Sequence, residues 1–322
     1  VSAEGCVLIK NDRNVLPLTG GEKISIFGRA QCNYYKSGTG SGGDVKVPYT
    51  TGILEGLRKN PKVKINEDLA EIYADWVKDH PFDNGGGGWA AEPWYQAEMP
   101  LTQDVVNAAK EKSDTAVVLI GRTAGEDKDS KYEAGSYLLT DAEKDMLQKV
   151  SDTFDKVVVV LNVPAIMDMN WMNDYNIDSV LYVWQGGMSG GDGAADVLTG
   201  DVNPSGRLTD TIAKEYSDYP SARHFGRTDY NYYVEDIYVG YRYFETFAPD
   251  KVAYPFGYGL SYTTFDTSTY SVTETDDSIN VFTTVENTGD VAGKETVQVY
   301  FGAPQGELGR PAKELVAFAK TK

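Results

Sequence analysis

Ala116-Val117-Val118-Leu119-Ile120-Gly121 and Val157-Val158-Val159-Val160-Leu161 are the stretches from which the rest of the chain is read. Both are short, unbroken apolar runs rich in β-branched residues, the composition of strands buried on two faces. Each follows a segment with helical spacing, residues 103–112 before the first and 141–151 before the second. Val180-Leu181-Tyr182-Val183-Trp184 repeats the strand signature; the glycines between Gly186 and Gly193 and a helix through Ala194–Leu198 follow it. Upstream, Ile24-Ser25-Ile26-Phe27-Gly28 reads as a buried strand feeding a loop, and Val63–Ile65 as a shorter strand. Residues 52–59 are spaced as a helix through Ile53, Leu54 and Leu57, and residues 67–78 place Leu69, Ile72, Tyr73 and Trp76 along one helical face. This alternation predicts an α/β fold over residues 1–215, with five or six mostly parallel strands and helices on both faces. Ligands of such sheets bind beside the carboxyl ends of the strands, so the loops after Gly28, Gly121 and Trp184 are the candidate sites.

After Asn203-Pro204-Ser205-Gly206 the texture changes. Residues 216–262 read as an extended, aromatic-rich linker packing on the first unit. From Phe265 onward, period-two segments dominate: Tyr270–Thr275, Ile279–Glu286 and Thr296–Phe301, with Asn287-Thr288-Gly289-Asp290 as a hairpin-type turn. Residues 263–322 therefore predict a β-sandwich, but an incomplete one, since a whole sandwich takes roughly 100 residues.

The 322 residues are 41% hydrophobic and carry a formal charge of −18, with an isoelectric point near 4.5. That acidity argues against nucleic acid and against an anionic membrane surface as partners. No apolar run reaches the roughly 18 residues that would span a bilayer. Cys6 and Cys32 read as small buried thiols rather than a disulfide framework, and they fit a reducing cytoplasm, the location expected here, while remaining compatible with secretion. The first residue is Val1 rather than Met, which reads as a processed or excised piece.

Two loops could carry chemistry. Arg122-Thr-Ala-Gly-Glu126-Asp-Lys-Asp129-Ser-Lys-Tyr132-Glu133-Ala-Gly135 sets acids behind a strand end, where like charges and partial burial would raise a carboxyl pKa. The same loop also reads as an ordinary solvated acidic segment. Ser37-Gly38-Thr39-Gly40-Ser41-Gly42-Gly43-Asp44 would let backbone approach a ligand closely, or would simply be flexible. Its Gly38, Gly40 and Gly43 match a dinucleotide fingerprint by spacing, but they lack the strand–turn–helix context. His80 and His224 are far apart in sequence and no Cys-x-x-Cys occurs, so no metal is expected. The 79–100 segment, with Gly85–Gly88, Trp89, Trp94 and Tyr95, is a long loop of the kind that is usually functional or disordered.

Taken together, several motifs resemble the second and third domains of family 3 glycoside hydrolases. Glu4-Gly-Cys-Val-Leu-Ile-Lys-Asn11 with Val15-Leu-Pro-Leu18 resembles the start of that family's α/β sandwich domain, and Ser37–Asp44 its glycine loop near the sugar. Trp184-Gln-Gly-Gly187 with Ala195-Asp-Val-Leu-Thr-Gly-Asp-Val-Asn-Pro-Ser-Gly-Arg-Leu208 is the most specific match. Asp236-Ile-Tyr-Val-Gly-Tyr-Arg-Tyr-Phe244 and Tyr254-Pro-Phe-Gly-Tyr-Gly-Leu-Ser-Tyr262 are nearly as specific. Asn287-Thr-Gly-Asp290 with Val297-Gln-Val-Tyr300 looks like the family's fibronectin type III-like domain, here partial.

The resemblance implies a retaining β-glycosidase of β-glucosidase type, acting on a terminal β-linked sugar of an oligosaccharide or glycoside without a cofactor. It maps the catalytic acid/base onto Glu126 and a substrate-side contact onto Ser41. The nucleophilic aspartate would come from a (β/α)8 barrel absent here, so the chain alone should be inactive. One departure is visible: Ser130 stands where the family pattern commonly has Arg, which puts the leaving-group contacts in question. The alternatives are a non-catalytic carbohydrate-binding or scaffold module, which would have no need of Glu126, and a nucleotide-binding α/β domain. The sequence does not separate glucose from xylose or N-acetylglucosamine.

Overall fold

The computed structural model describes residues 1–43 and 45–322; Asp44, the last residue of the glycine loop quoted above, lies outside them. A short helix α1 (Ser2–Gly5) leads into a central sheet made of β1 (Val7–Asn11), β2 (Lys23–Phe27), β3 (Lys64–Ile65), β4 (Thr115–Gly121), β5 (Lys156–Asn162) and β6 (Ser179–Tyr182). The strand order is β1-β6-β5-β4-β2-β3. Every neighbouring pair is parallel except β1 with β6, so the mostly parallel six-stranded expectation holds.

Period-two alternation sorts each strand between two cores. Val118, Ile120, Val159 and Leu161 face one way, against Leu69 and Tyr73 of α3 (Glu67–Asp79), Val106 and Ala109 of α4 (Gln103–Lys110), and Met146, Leu147 and Val150 of α5 (Asp141–Thr153). Val117, Leu119, Val158 and Val160 face the other way, against Ile53, Leu54 and Leu57 of α2 (Ile53–Lys59) and Val197 and Leu198 of α6 (Gly190–Leu198). Apolar burial on both faces is what the unbroken valine runs encode. Ile72 departs from its expected face: it is 41% exposed. The buried stripe of α3 runs through Leu69, Ala70 and Tyr73.

β2 sends the chain outward to the edge strand β3, after which it returns across β2 to form β4 and then continues to β5 and β6. The direction of winding therefore reverses between β2 and β4. At such a switch point the two outgoing loops diverge and leave a crevice at the carboxyl ends of the strands.

The aromatic-rich stretch is less extended than expected. It contains α7 (Tyr241–Phe247) and β8 (Val252–Tyr254), and β8 pairs with β7 (Ile212–Ala213). The i, i+3 spacing of Tyr241, Phe244 and Phe247 suits a helix, and Phe244 is buried edge-on against Tyr219 at 5.7 Å. Beyond it lie two antiparallel pairs, β9 (Phe265–Glu274) with β10 (Ile279–Asn287) and β11 (Thr296–Phe301) with β12 (Glu314–Lys320). Asn287–Asp290 is thus not a hairpin loop: it follows β10, and β10 and β11 belong to different pairs. The Asn287 side chain organises this turn, accepting from the Gly289 amide at 3.1 Å and from the Thr263 hydroxyl at 2.7 Å.

Candidate active site

The β2 and β4 loops meet in the switch-point crevice. Asn162, fully buried at the end of β5, ties them together. Its Oδ1 accepts from the Tyr35 amide at 2.8 Å, and its Nδ2 donates to the carbonyls of Tyr35 at 2.9 Å and Trp184 at 2.6 Å. Its carbonyl accepts from the Arg122 amide at 3.1 Å. One residue therefore fixes three segments, those leaving β2 and β6 through its side chain and that leaving β4 through its carbonyl.

Arg122, the first residue after β4, points inward. Its guanidinium meets the Glu143 carboxylate through two bonds of 2.5 and 2.7 Å, with both side chains almost fully buried. Glu143 also caps α5: its Oε2 accepts from the Thr140 amide at 2.8 Å, while its own amide donates to the Thr140 hydroxyl. The acidic loop therefore has a rigid base. Thr140-x-x-Glu143 is a capping-box pattern legible in the sequence, whereas the ion pair across the fold is not.

From this base the loop runs alongside the glycine loop. The Thr39 amide donates to the Ala124 carbonyl at 3.0 Å, and Thr39 bridges Gly125 in parallel fashion. Gly40 and Gly125 both have positive φ, +88° and +155°, and neither tolerates a side chain. A Cβ on Gly40 would collide with the Glu126 Cβ, and one on Gly125 would lie 2.5 Å from the Thr39 carbonyl oxygen. Close approach of two backbones, not flexibility, is what these glycines serve.

The approach brings Ser41 to Glu126. Glu126 Oε2 accepts from the Ser41 amide at 2.9 Å and from the Ser41 hydroxyl at 2.8 Å. Both residues are exposed, and Glu126 lines a hollow of about 580 Å³ together with Ala124, Lys128, Asp129 and Ser130. The two loops thus deliver Glu126 and Ser41 to one place and present them to solvent.

Expectation and structure part over the acidity of Glu126. The neighbouring acids were expected to raise its pKa, yet the Ser41 amide, and next its hydroxyl, hold the carboxyl below its ordinary value. The carboxylate is open to water, so burial opposes this only weakly, and both hydrogen bonds favour the charged form. The tryptophans of the 79–100 segment bind both neighbouring acidic residues, Asp127 through its carboxylate and Asp129 through its main chain. Asp127 accepts from the Trp89 indole at 2.8 Å, and the Asp129 carbonyl accepts from the Trp94 indole at 3.0 Å. Glu133, the other candidate on this loop, is exposed and does not line the hollow.

The 79–100 segment joins the same edge. The Trp94 carbonyl accepts from the Thr123 amide at 2.8 Å, and Lys128 reaches the Ala90 carbonyl at 3.2 Å with its ammonium 4.8 Å from the Trp94 ring centroid. Asp83 and Gln96 close the neck of the segment with paired bonds of 2.7 and 2.9 Å. Below the neck, Arg29 donates to the carbonyls of His80 at 2.6 Å and Ala97 at 3.0 Å. Glu98 accepts from the amides of Arg29 and Met99, and burial pushes its pKa up to about 7. Among the described residues no group of three or more His, Cys, Asp or Glu could hold a metal ion. The dinucleotide alternative gains no support: the glycine loop does not open a helix, and α2 begins only at Ile53. No helix of the described residues is long and apolar enough to cross a membrane.

A mostly parallel sheet whose switch-point loops present a solvent-facing carboxylate is an arrangement that many α/β enzymes share. The pattern of the glycosyl hydrolase family 3 C-terminal domain matches residues 6–262, and the chain belongs to that family. Its relatives are specific. It is 53% identical to a beta-glucosidase of Ruminococcus albus, covering 100% of this chain and 34% of that protein. It is 42% identical to beta-glucosidase A of Butyrivibrio fibrisolvens, covering 100% of this chain and 43% of that one. Among solved structures, a beta-glucosidase from Paenibacillus barengoltzii superposes with a TM-score of 0.97 at 55% identity, over 100% of this chain and 36% of that one. Beta-glucosidase 3B from Thermotoga neapolitana, solved in complex with glucose, gives a TM-score of 0.90 at 40% identity, over 100% of this chain and 45% of that one. The chain thus spans about a third to just under half of each of these proteins.

Proposed function

We propose that this chain supplies the general acid/base of a retaining β-glucosidase, and that Glu126 is that group. The observation that carries the reading is the convergence of the β2 and β4 loops on an exposed Glu126 held by Ser41. Family membership and the beta-glucosidase relatives support the substrate class, a terminal β-linked glucosyl unit. The nucleophilic carboxylate belongs to a (β/α)8 barrel outside this sequence, and the fraction of each relative left uncovered leaves room for one.

In a retaining mechanism two carboxyl groups stand about 5–5.5 Å apart. The nucleophile attacks the anomeric carbon while Glu126 protonates the departing oxygen; Glu126 then takes a proton from water as water attacks the glycosyl-enzyme. The first step needs a protonated Glu126, whereas the exposed carboxyl of the isolated chain is held in its charged form. Docking of the barrel reverses this balance by excluding water and by bringing a second carboxylate nearby, both of which raise a carboxyl pKa. The acid is therefore made by assembly, and the 322-residue chain alone turns over no glycoside.

The test is Glu126→Gln in the barrel-containing enzyme. Cleavage of alkyl glucosides, whose leaving groups need protonation, is expected to slow about 100- to 10,000-fold, while the first step with activated phenolates suffers far less. Equal losses for both kinds of substrate would remove Glu126 from the acid/base role.

A further inference from the structure

Glu126 is the second residue of a tight turn. The Gly125 amide donates to the Lys128 carbonyl at 3.2 Å and the Lys128 amide donates back to the Gly125 carbonyl at 3.0 Å, so only Glu126 and Asp127 lie between the two bonds. Asp127, the third residue of the turn, has a φ of +58°, in the left-handed region. Turns with positive φ at that position favour glycine or asparagine. Aspartate enters the region more readily than most residues, but its Cβ still crowds the backbone there. A contact that keeps Asp127 in this conformation therefore also fixes the direction in which its neighbour Glu126 projects.

The 79–100 segment makes that contact. The Trp89 indole donates to Asp127 Oδ2 at 2.8 Å, a bond to a carboxylate and so stronger than one between neutral groups. The two following residues are bound from the same side, Lys128 through the Ala90 carbonyl and the Trp94 ring, and Asp129 through the Trp94 indole. The tip that presents Trp89 is itself tightly folded: Ala90 has a φ of +51°, and a Cβ on Gly85 would lie 2.2 Å from the Ala91 backbone. Trp89 is 58% exposed, so its ring adds little to any core. Glu126 is thus held at its carboxylate by Ser41 and, through Asp127, at its main chain by Trp89.

We propose that Trp89 and Asp127 are positioning residues for Glu126, their indole–carboxylate bond pinning the turn so that the Glu126 carboxyl stays aimed at the departing oxygen. The 79–100 segment is then the splint of the acid/base loop. The proposal rests on the reading of Glu126 as the acid/base, whereas the pinning of the turn is a property of this chain alone.

In the barrel-containing enzyme, Trp89→Phe keeps an aromatic ring and removes the donor, and Asp127→Ala removes the acceptor. Each is expected to lower kcat/KM for an alkyl β-glucoside about tenfold, as a misaimed catalytic group does, and to spare an activated aryl β-glucoside. The double variant should lose no more than either single one. Asp127→Asn retains an acceptor and tolerates the left-handed conformation, so it should stay within about twofold of the parent. Losses that multiply in the double variant, or that are equal for the two glucosides, would overturn the proposal. So would a loss confined to Trp89→Phe, because the indole would then act by itself. Glu126→Gln, assayed alongside, separates the two readings: if it discriminates between leaving groups and Trp89→Phe does not, only the splint falls. If Glu126→Gln does not discriminate, the acid/base reading falls, and the pinning is judged by carboxyl-detected NMR of the 322-residue chain. There Trp89→Phe should move the Glu126 titration upward as the Ser41 contact loosens, and a titration identical to that of the parent would overturn the pinning as well.

Discussion

Replacing Arg122 by Met should destabilise the fold far more than the loss of one surface charge. Arg122 and Glu143 are only 4% and 7% exposed at their side chains, and their two bonds measure 2.5 and 2.7 Å. Arg122→Met leaves Glu143 Oε1 without its partner in a nearly dry site and removes the donor to the Gly121 carbonyl at 2.8 Å. Removing one member of a buried pair costs about 3–5 kcal/mol. For a domain of this size that lowers the melting temperature by about 6–20 °C, at roughly 2–4 °C per kcal/mol. Replacing both partners is different, because two apolar groups of similar volume leave no stranded charge. Arg122→Met combined with Glu143→Leu should recover most of the loss and retain a deficit of about 1 kcal/mol for the broken cap of α5. Urea unfolding followed by circular dichroism measures all three variants. A single-variant cost below about 1 kcal/mol, or a double variant no better than the sum of the singles, would refute the idea that this pair fixes the base of the acidic loop.

Glu98 should give a pH signature of its own. Its folded pKa of about 7 lies above the ordinary 4.5, so its contribution is fully present below about pH 4.5 and is lost as pH rises through 7. That difference is worth at most about 3 kcal/mol, and in Glu98→Gln the corresponding fall in unfolding free energy between pH 5 and 8 should disappear; an unchanged slope would contradict it. Ser41→Ala should move the Glu126 pKa part of the way upward, because it removes the hydroxyl bond and keeps the amide bond, the larger of the two that depress it; carboxyl-detected NMR titration reads the direction. Gly40→Ala should cost about 1–3 kcal/mol from its +88° φ, and it should shift Glu126 in the same direction by forcing the loops apart. A Glu126 titration identical to that of the parent chain in either variant would count against the coupling of the two loops.

The sheet was legible because its signal is redundant. Each of Ala116–Gly121 and Val157–Leu161 carries enough β-branched apolar residues to specify a strand buried on both faces without knowledge of its neighbours. Glu126 and Ser41 were singled out through motif resemblance, and they lie on the loops that follow β4 and β2. What could not be read was anything set by contacts across the fold. The Asn162 hub, the Arg122–Glu143 pair and the Arg29–Glu98 clamp each join residues far apart in sequence, and no periodicity marks them. The expected rise in the Glu126 pKa failed for the same reason. Asp127 and Asp129 are close in sequence, but the groups that act on Glu126 are the Ser41 donors 85 residues away. The turn at Asn287 was misread as a hairpin because turn chemistry reports a change of direction, not which strands pair afterwards.

Chemical rescue is the most direct test of Glu126 as the acid/base. In the barrel-containing enzyme, Glu126→Ala should accumulate the glycosyl-enzyme from an activated aryl β-glucoside, because no base remains to activate water. Sodium azide needs no such assistance. It should restore turnover and release a glucosyl azide of β configuration, identifiable by NMR, while Glu133→Gln should behave as the parent enzyme and form none. Failure of azide to accelerate Glu126→Ala, with no glucosyl azide among the products, would contradict the assignment.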